Sequence, residues 1–151
     1  MVKTEYRRAL YDRMHACGVI FMIDSNVELS REEAAITLTG LESIRKADYF
    51  ALKQISDAQT DFVVLLEHNP TDAKAFLQSD ADLTLTGHTH GGQFRLPLIG
   101  GLYAPDQGIL PEYDGGAFYD AGHMLIINRG VGNSGFPFRV GNRPEIVTSS
   151  T

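Results

Sequence analysis

Residues 62–90 read FVVLLEHNPTDAKAFLQSDADLTLTGHTH, and the order of signals in this stretch decides how the chain is organised. FVVLL is a continuous apolar run rich in β-branched residues, the pattern of a strand buried on both faces. Asn69 followed by Pro70 is a helix start, with Asn as N-cap and Pro at the first helical position, and the helix is predicted to run to about Ser79. DLTLT at 82–86 is the next strand. Strand, short helix and strand with brief connections make a β-α-β unit with neighbouring parallel strands. His68 falls just past the first strand, and His88 and His90 just past the second. Ligand crevices in open α/β sheets lie at the carboxyl ends of strands, so three of the five histidines are expected to converge.

The rest of the chain reads less sharply. Tyr6, Leu10, Met14 and Cys17 sit at helical spacing over residues 5–17, with Gly18 as the stop. Cys17 closes that pattern and reads as a core residue. GVIFMID at 18–24 reads as a strand and Ser25-Asn26 as the turn after it; VELS and AITLTG follow as two short strands around the polar REE. A helix is expected over 46–58, with Phe50, Leu52 and Ile55 turned inward. Thirteen of the fifteen glycines and five of the six prolines lie from Gly87 onward, so the second half is built of turns. There is no internal repeat and no linker, and residues 1–151 are read as a single unit of α/β class.

Composition narrows the function. The 151 residues are 43% apolar and 21% charged, ordinary for a globular domain. A net charge of −6 without a Lys/Arg run leaves nothing to follow a phosphate backbone, so no nucleic-acid partner is expected. The single cysteine excludes an internal disulfide and suits a reducing, cytoplasmic setting. FVVLL and MLII are too short to span a bilayer, and MVKTEYRRALYDR lacks the apolar run of a secretion signal.

Neutral imidazole is the commonest transition-metal ligand, which makes His68, His88 and His90 candidate ligands. Gly91 and Gly92 would allow a metal-bound anion close to the main chain. The competing reading of an isolated H-x-H pair is a polar loop without metal; His68 at the adjacent strand end weighs against it. His15 and His123 read as structural or solvated. Tyr103, Tyr113 and Phe118 read by default as packing residues. Glu67, Asp72, Asp80 and Asp82 read as caps or solvated acids. GVGNSG at 130–135 matches a dinucleotide-binding spacing, but FPFRVGNRP follows where a helix should open, so that reading fails.

LLEHNP, DLTLTGHTHGGQ, GGLYAPDQG and INRGVGNSGFPFRVGNRPEIV together resemble the C-terminal half of the calcineurin-like metallophosphoesterases. Within that family they are most similar to bacterial membrane-associated phosphohydrolases carrying GHTHGGQ and a later RG-x-G-x-SG-x-P segment. The resemblance spans residues 60–148, and residues 5–45 in order and pattern only. It implies part of a four-layer α-β-β-α sandwich lacking its N-terminal strands, whose loss would bare the edges of FVVLL and DLTLT.

The resemblance also implies two divalent ions of Mn, Fe, Zn or Mg type and hydrolysis of a phosphate ester or anhydride by an activated water. His68 and His88 correspond to ligands of one ion and His90 to a ligand of the other. Gly91, Gly92 and Arg129 are placed near the substrate phosphate, on a phosphorylated small molecule or lipid-linked phosphate. The family's D-x-H, G-D-x-x-D and G-N-H-[D/E] motifs, which carry the carboxylates and the general acid, do not occur in these 151 residues. No catalytic acid is therefore assigned. Three neutral imidazoles supply no charge to balance two divalent cations. The expectation is a fragment, a truncated reading frame or one piece of a larger assembly, partnered by the missing half and attached to a membrane, if at all, through an upstream segment. The rival expectation is a non-catalytic, partner-binding remnant that retains its histidines.

Overall fold

The computed structural model describes residues 2–42, 55, 58, 60–133 and 137–148. Helix α1 spans Val2–Ala16, and strands β1 (Ser25–Arg31) and β2 (Ala34–Gly40) form an antiparallel hairpin turning at Glu32-Glu33. Strand β3 (Val63–Leu66) leads through a tight 3-10 turn, Pro70–Asp72, into the short helix α2 (Ala73–Leu77) and then strand β4 (Leu83–Thr86). Two small hairpins follow, β5 (Arg95–Leu96) with β6 (Gly100–Gly101) and β7 (Tyr103–Ala104) with β8 (Gly108–Ile109). A third hairpin, β9 (Gly116–Asp120) and β10 (His123–Ile127), completes the described elements.

Six strands form one mixed sheet in the order β1-β2-β3-β4-β10-β9. The β2-β3, β3-β4 and β4-β10 pairs are parallel, and the two outer pairs are antiparallel. The β-α-β unit read from residues 62–90 is present, with Val64 beside Leu83 and Leu66 beside Leu85. Asn69 caps the turn as expected, its side chain accepting from Thr71 N, although the helix ends at Leu77.

The core lies between one sheet face and α2. Val63 and Leu65 pack with Ile55, Phe76 and Ala81; Leu125 and Ile127 pack with Ala73 and Leu77. Leu65, Leu125 and Ile127 are wholly buried, and each contributes about 1.5–3 kcal/mol by leaving water. Ala73 and Leu77 sit one helical turn apart, and Phe76 beside them reaches the other cluster, so five residues of helix seal both. By register, Leu38, Val64, Leu66, Leu83, Leu85, Met124 and Ile126 share the opposite face. Leu85 there remains 38% exposed.

Four expectations are corrected. Residues 18–24 form no strand: β1 begins at Ser25, where pairing with Gly40 starts, and Asp24 turns the chain with φ +44°. A strand needs a hydrogen-bonding neighbour, and the apolar run stops short of one, with Met22 lying against Gly40 instead. The Ser25-Asn26 turn is accordingly the start of β1. Cys17 is exposed, because α1 turns no side chain from Thr4 to Ala16 into the core. The edges of β3 and β4 are not bare, since β2 and β10 pair along them. The helix expected over 46–58 lies outside the described residues except Ile55, which is buried, and Ala58.

Candidate metal centre

Pairing between β3 and β4 continues past their ends. Glu67 N donates to Leu85 O, and Gly87 N donates to His68 O at 3.0 Å. This register sets the residue after β3 beside the turn after β4, and the side chains meet: His68 Nε2 lies 3.2 Å from His88 Nδ1. The rings stand edge to face, at 75° and 5.0 Å between centroids.

His90 opens a 3-10 turn, His90–Gly92, in which the backbone is unusual. His88, His90 and Gln93 have φ of +61°, +49° and +49°. Left-handed backbone at residues with a Cβ costs about 1–3 kcal/mol each and persists only where surroundings enforce it. The enforcing contacts come from two distant segments, around Asp114 and Asn142, and from Arg95 close by in the chain. Thr89, fully buried between the two histidines, donates through Oγ1 to Asp114 O at 2.8 Å. Asn142 Nδ2 donates to His90 O at 2.5 Å. Arg95 Nη1 donates to Gly91 O at 3.0 Å and pairs with Asp114 at 2.9 Å.

Burial lowers the pKa of His68, helped by the nearby His88 and His90. His90 is lowered too, first by burial, then by the Arg139 cation and by His88. Both effects favour neutral imidazole, the form that donates a lone pair to a metal. Metal–nitrogen bonds of ~2.0–2.1 Å place adjacent ligand nitrogens roughly 3–3.4 Å apart, so His68 and His88 fit one edge of an ion's coordination shell. Among the described residues no three His, Cys, Asp or Glu side chains gather into a group able to hold an ion.

Gly91, Gly92 and Arg129 are closely packed. A Cβ on Gly91 would meet Asn142 Oδ1 at 2.6 Å and Arg129 Cδ at 2.8 Å; one on Gly92 would meet Gly101 Cα at 2.6 Å. Close packing of protein against protein accounts for both glycines here. The Arg129 guanidinium is held by Glu145, with Nε donating to Oε2 at 2.8 Å and Nη2 to the same oxygen. Arg129's hydrogen bonds hold the Glu145 carboxyl below the usual carboxylate range, against the opposing effect of burial.

Sequence reasoning missed Asp106, whose Oδ2 lies 3.2 Å from His88 Nε2 and 3.0 Å from Asn69 Nδ2. It sits at the tip of the β7-β8 hairpin, in the run Pro105-Asp106-Gln107-Gly108, a turn composition whose approach to the histidines no local periodicity reveals. An open cavity of about 640 Å³ adjoins it, between Lys74 and Gln78 of the α2 region and the 106–113 segment. Glu67 is buried, its Oε1 accepting from Asn69 N, and Asp82 accepts from Val63 N. His123 anchors to Ala81 O at 2.6 Å, a structural role as expected. The described part of the 130–135 loop opens no helix, in line with rejection of the dinucleotide reading.

The chain is similar to proteins named metallophosphoesterases. It is also 31% identical to the Bacillus subtilis uncharacterized protein YpbG, whose name states no activity, over 140 residues, 90% of this chain and 49% of that protein. It is 36% identical over 95 residues to the B. subtilis uncharacterized metallophosphoesterase YkuE, across 63% of this chain and 32% of YkuE. With the Escherichia coli phosphodiesterase YaeI it shares 37% over 83 residues, 55% of this chain and 30% of YaeI. The chain thus spans about half the length of YpbG and about a third of the other two. No protein-family model and no solved structure matches it. Among the described residues no helix is long and apolar enough to cross a membrane.

Proposed function

We propose that this chain forms the histidine half of a two-metal phosphoesterase site, hydrolysing a phosphate ester or anhydride on a small molecule or lipid-linked substrate. The observation that carries this reading is the His68–His88 pair, nitrogens 3.2 Å apart, at the carboxyl ends of two parallel strands. The names of the relatives support the reaction class. His68 and His88 would hold one ion and His90 the second. A bound ion pair would supply water activation and charge stabilisation at the phosphoryl oxygens.

This chain's own contribution is ligand placement. Thr89, Arg95, Asp114 and Asn142 fix the histidine loop before any ligand arrives. Carboxylates to balance the metal charge would come from the D-x-H, G-D-x-x-D and G-N-H-[D/E] segments, absent from these residues. The same segments would complete a four-layer sandwich over the sheet face that carries Leu83, Leu85 and Met124.

The test is a Co²⁺ or Mn²⁺ titration, read by absorption and by metal content after desalting, with hydrolysis of a chromogenic phosphodiester followed in parallel. His68→Ala and His88→Ala should abolish the tighter binding event. Unchanged metal content in a His88→Ala, His90→Ala double variant would overturn the ligand assignment. Robust turnover by these 151 residues alone would show that the absent carboxylates are dispensable. A second reading, a non-catalytic module that keeps the histidines, would be established by metal binding without turnover after the carboxylate segments are supplied.

A further inference from the structure

The carboxylate of Asp106 is in direct contact with the histidine pair, through His88. A carboxylate accepts hydrogen bonds and donates none when ionised, so the His88 nitrogen facing it, Nε2 at 3.2 Å, carries the proton. Neutral imidazole has one N–H, and Nδ1 is then bare and turned toward His68.

Asp106 is itself held. Thr71 N is a donor, so the Asn69 atom that receives it is Oδ1, which leaves Asn69 Nδ2 to donate to Asp106 at 3.0 Å. The hairpin that carries Asp106 is braced on its other side, where Gln107 bonds both Tyr113 N and Tyr113 O at 3.1 and 2.8 Å, and Ala104 is fully buried. Asp106 adopts φ +61°, a left-handed conformation that Asp accepts more readily than most residues. A chain of contacts therefore runs from the residue after His68, through a separate hairpin, to the far nitrogen of His88.

We propose that Asp106 is a positioning residue that holds His88 as its Nε2–H tautomer and aims the Nδ1 lone pair at the space shared with His68. Its consequence for metal affinity rests on the ligand reading above; its effect on the tautomer does not. Outer carboxylates of this kind fix the orientation of a ligating imidazole and raise its basicity.

The two parts separate experimentally. Long-range ¹H–¹⁵N spectra of the histidine-labelled chain, metal-free at neutral pH, report which ring nitrogen of His88 is protonated. We expect Nε2 protonated in the native protein, a mixture of tautomers in Asp106→Leu, and retention in Asp106→Asn, whose side-chain oxygen still accepts. Zn²⁺ titration by calorimetry should show affinity 10–100-fold weaker in Asp106→Leu and a smaller loss in Asp106→Asn. Asp106 is on the surface, 41% exposed at its side chain, so both variants are expected to fold, checked by circular dichroism. An Nδ1–H tautomer in the native protein, or an unchanged tautomer in Asp106→Leu, overturns the proposal. A correct tautomer response with no Zn²⁺ binding to the native chain sinks the metal reading and leaves the positioning role standing.

Discussion

Arg129 and Glu145 show how a single pair couples the histidine loop to the C-terminal segment. Glu145 receives the Arg129 side chain and its backbone N–H, while the aliphatic part of Arg129 packs against Gly91 and Gly115. The Glu145 pKa is depressed in the fold, chiefly by hydrogen bonding from Arg129, so its stabilising effect is present above the unfolded carboxylate value. That stabilisation is lost as pH falls through the lower, folded value. Glu145→Gln should therefore cost about 1.5–3 kcal/mol at neutral pH, the range for hydrogen bonds to charged groups. Urea unfolding at stepped pH checks this: the two proteins should converge in acid below the ordinary carboxylate range, and a constant gap would refute the pairing. At this same level, His68, His88 and His90 were legible as candidates from identity and strand position. Asp106 was not, because its relation to His88 exists only across 18 positions of chain.

The GHTHGG turn is a loop fastened from outside. Thr89 is its anchor, buried completely, donating to Asp114 O and accepting from Gly91 N at 3.3 Å. Thr89→Val keeps the shape and removes the hydroxyl, leaving a buried carbonyl and amide short of a partner at a cost of about 1–3 kcal/mol. Chemical denaturation gives that number, and the metal titration should weaken with it, since relaxation of His88 and His90 follows from the same loss. An unchanged midpoint would mean that the loop is held without Thr89. The β3-α2-β4 unit that carries this turn was readable in advance because each of its signals is local: a β-branched run, Asn-Pro, and a second apolar strand. GVIFMID carried an equally apolar run and formed no strand, since hydrophobicity cannot supply a hydrogen-bonding neighbour, and Val19, Ile20 and Ile23 stay exposed.

In the molecule as a whole, stability is unevenly distributed. Both core clusters lie under α2, whereas α1 presents side chains from Thr4 to Ala16 to solvent, with Tyr11 against Phe21 of the following segment. An isolated helix of fifteen residues is marginal in water. Amide exchange should therefore be fast across α1 and slow, by orders of magnitude, across Val63–Leu66 and Leu125–Ile127. Equal protection in α1 would show that its apolar stripe of Tyr6, Leu10 and Met14 is covered. The amino-acid sequence was sufficient for the parallel β-α-β unit, its capped turn and the three histidines at its strand ends, because periodicity and turn chemistry act over a few neighbouring residues. The flanking of β3 and β4 by β2 and β10, the exposure of Cys17, the protein-filled spaces beside Gly91 and Gly92, and the approach of Asp106 to His88 were settled by the fold alone. Each depends on which distant segments pack together and which do not, and pairing partners and close packing leave no local trace in the chain.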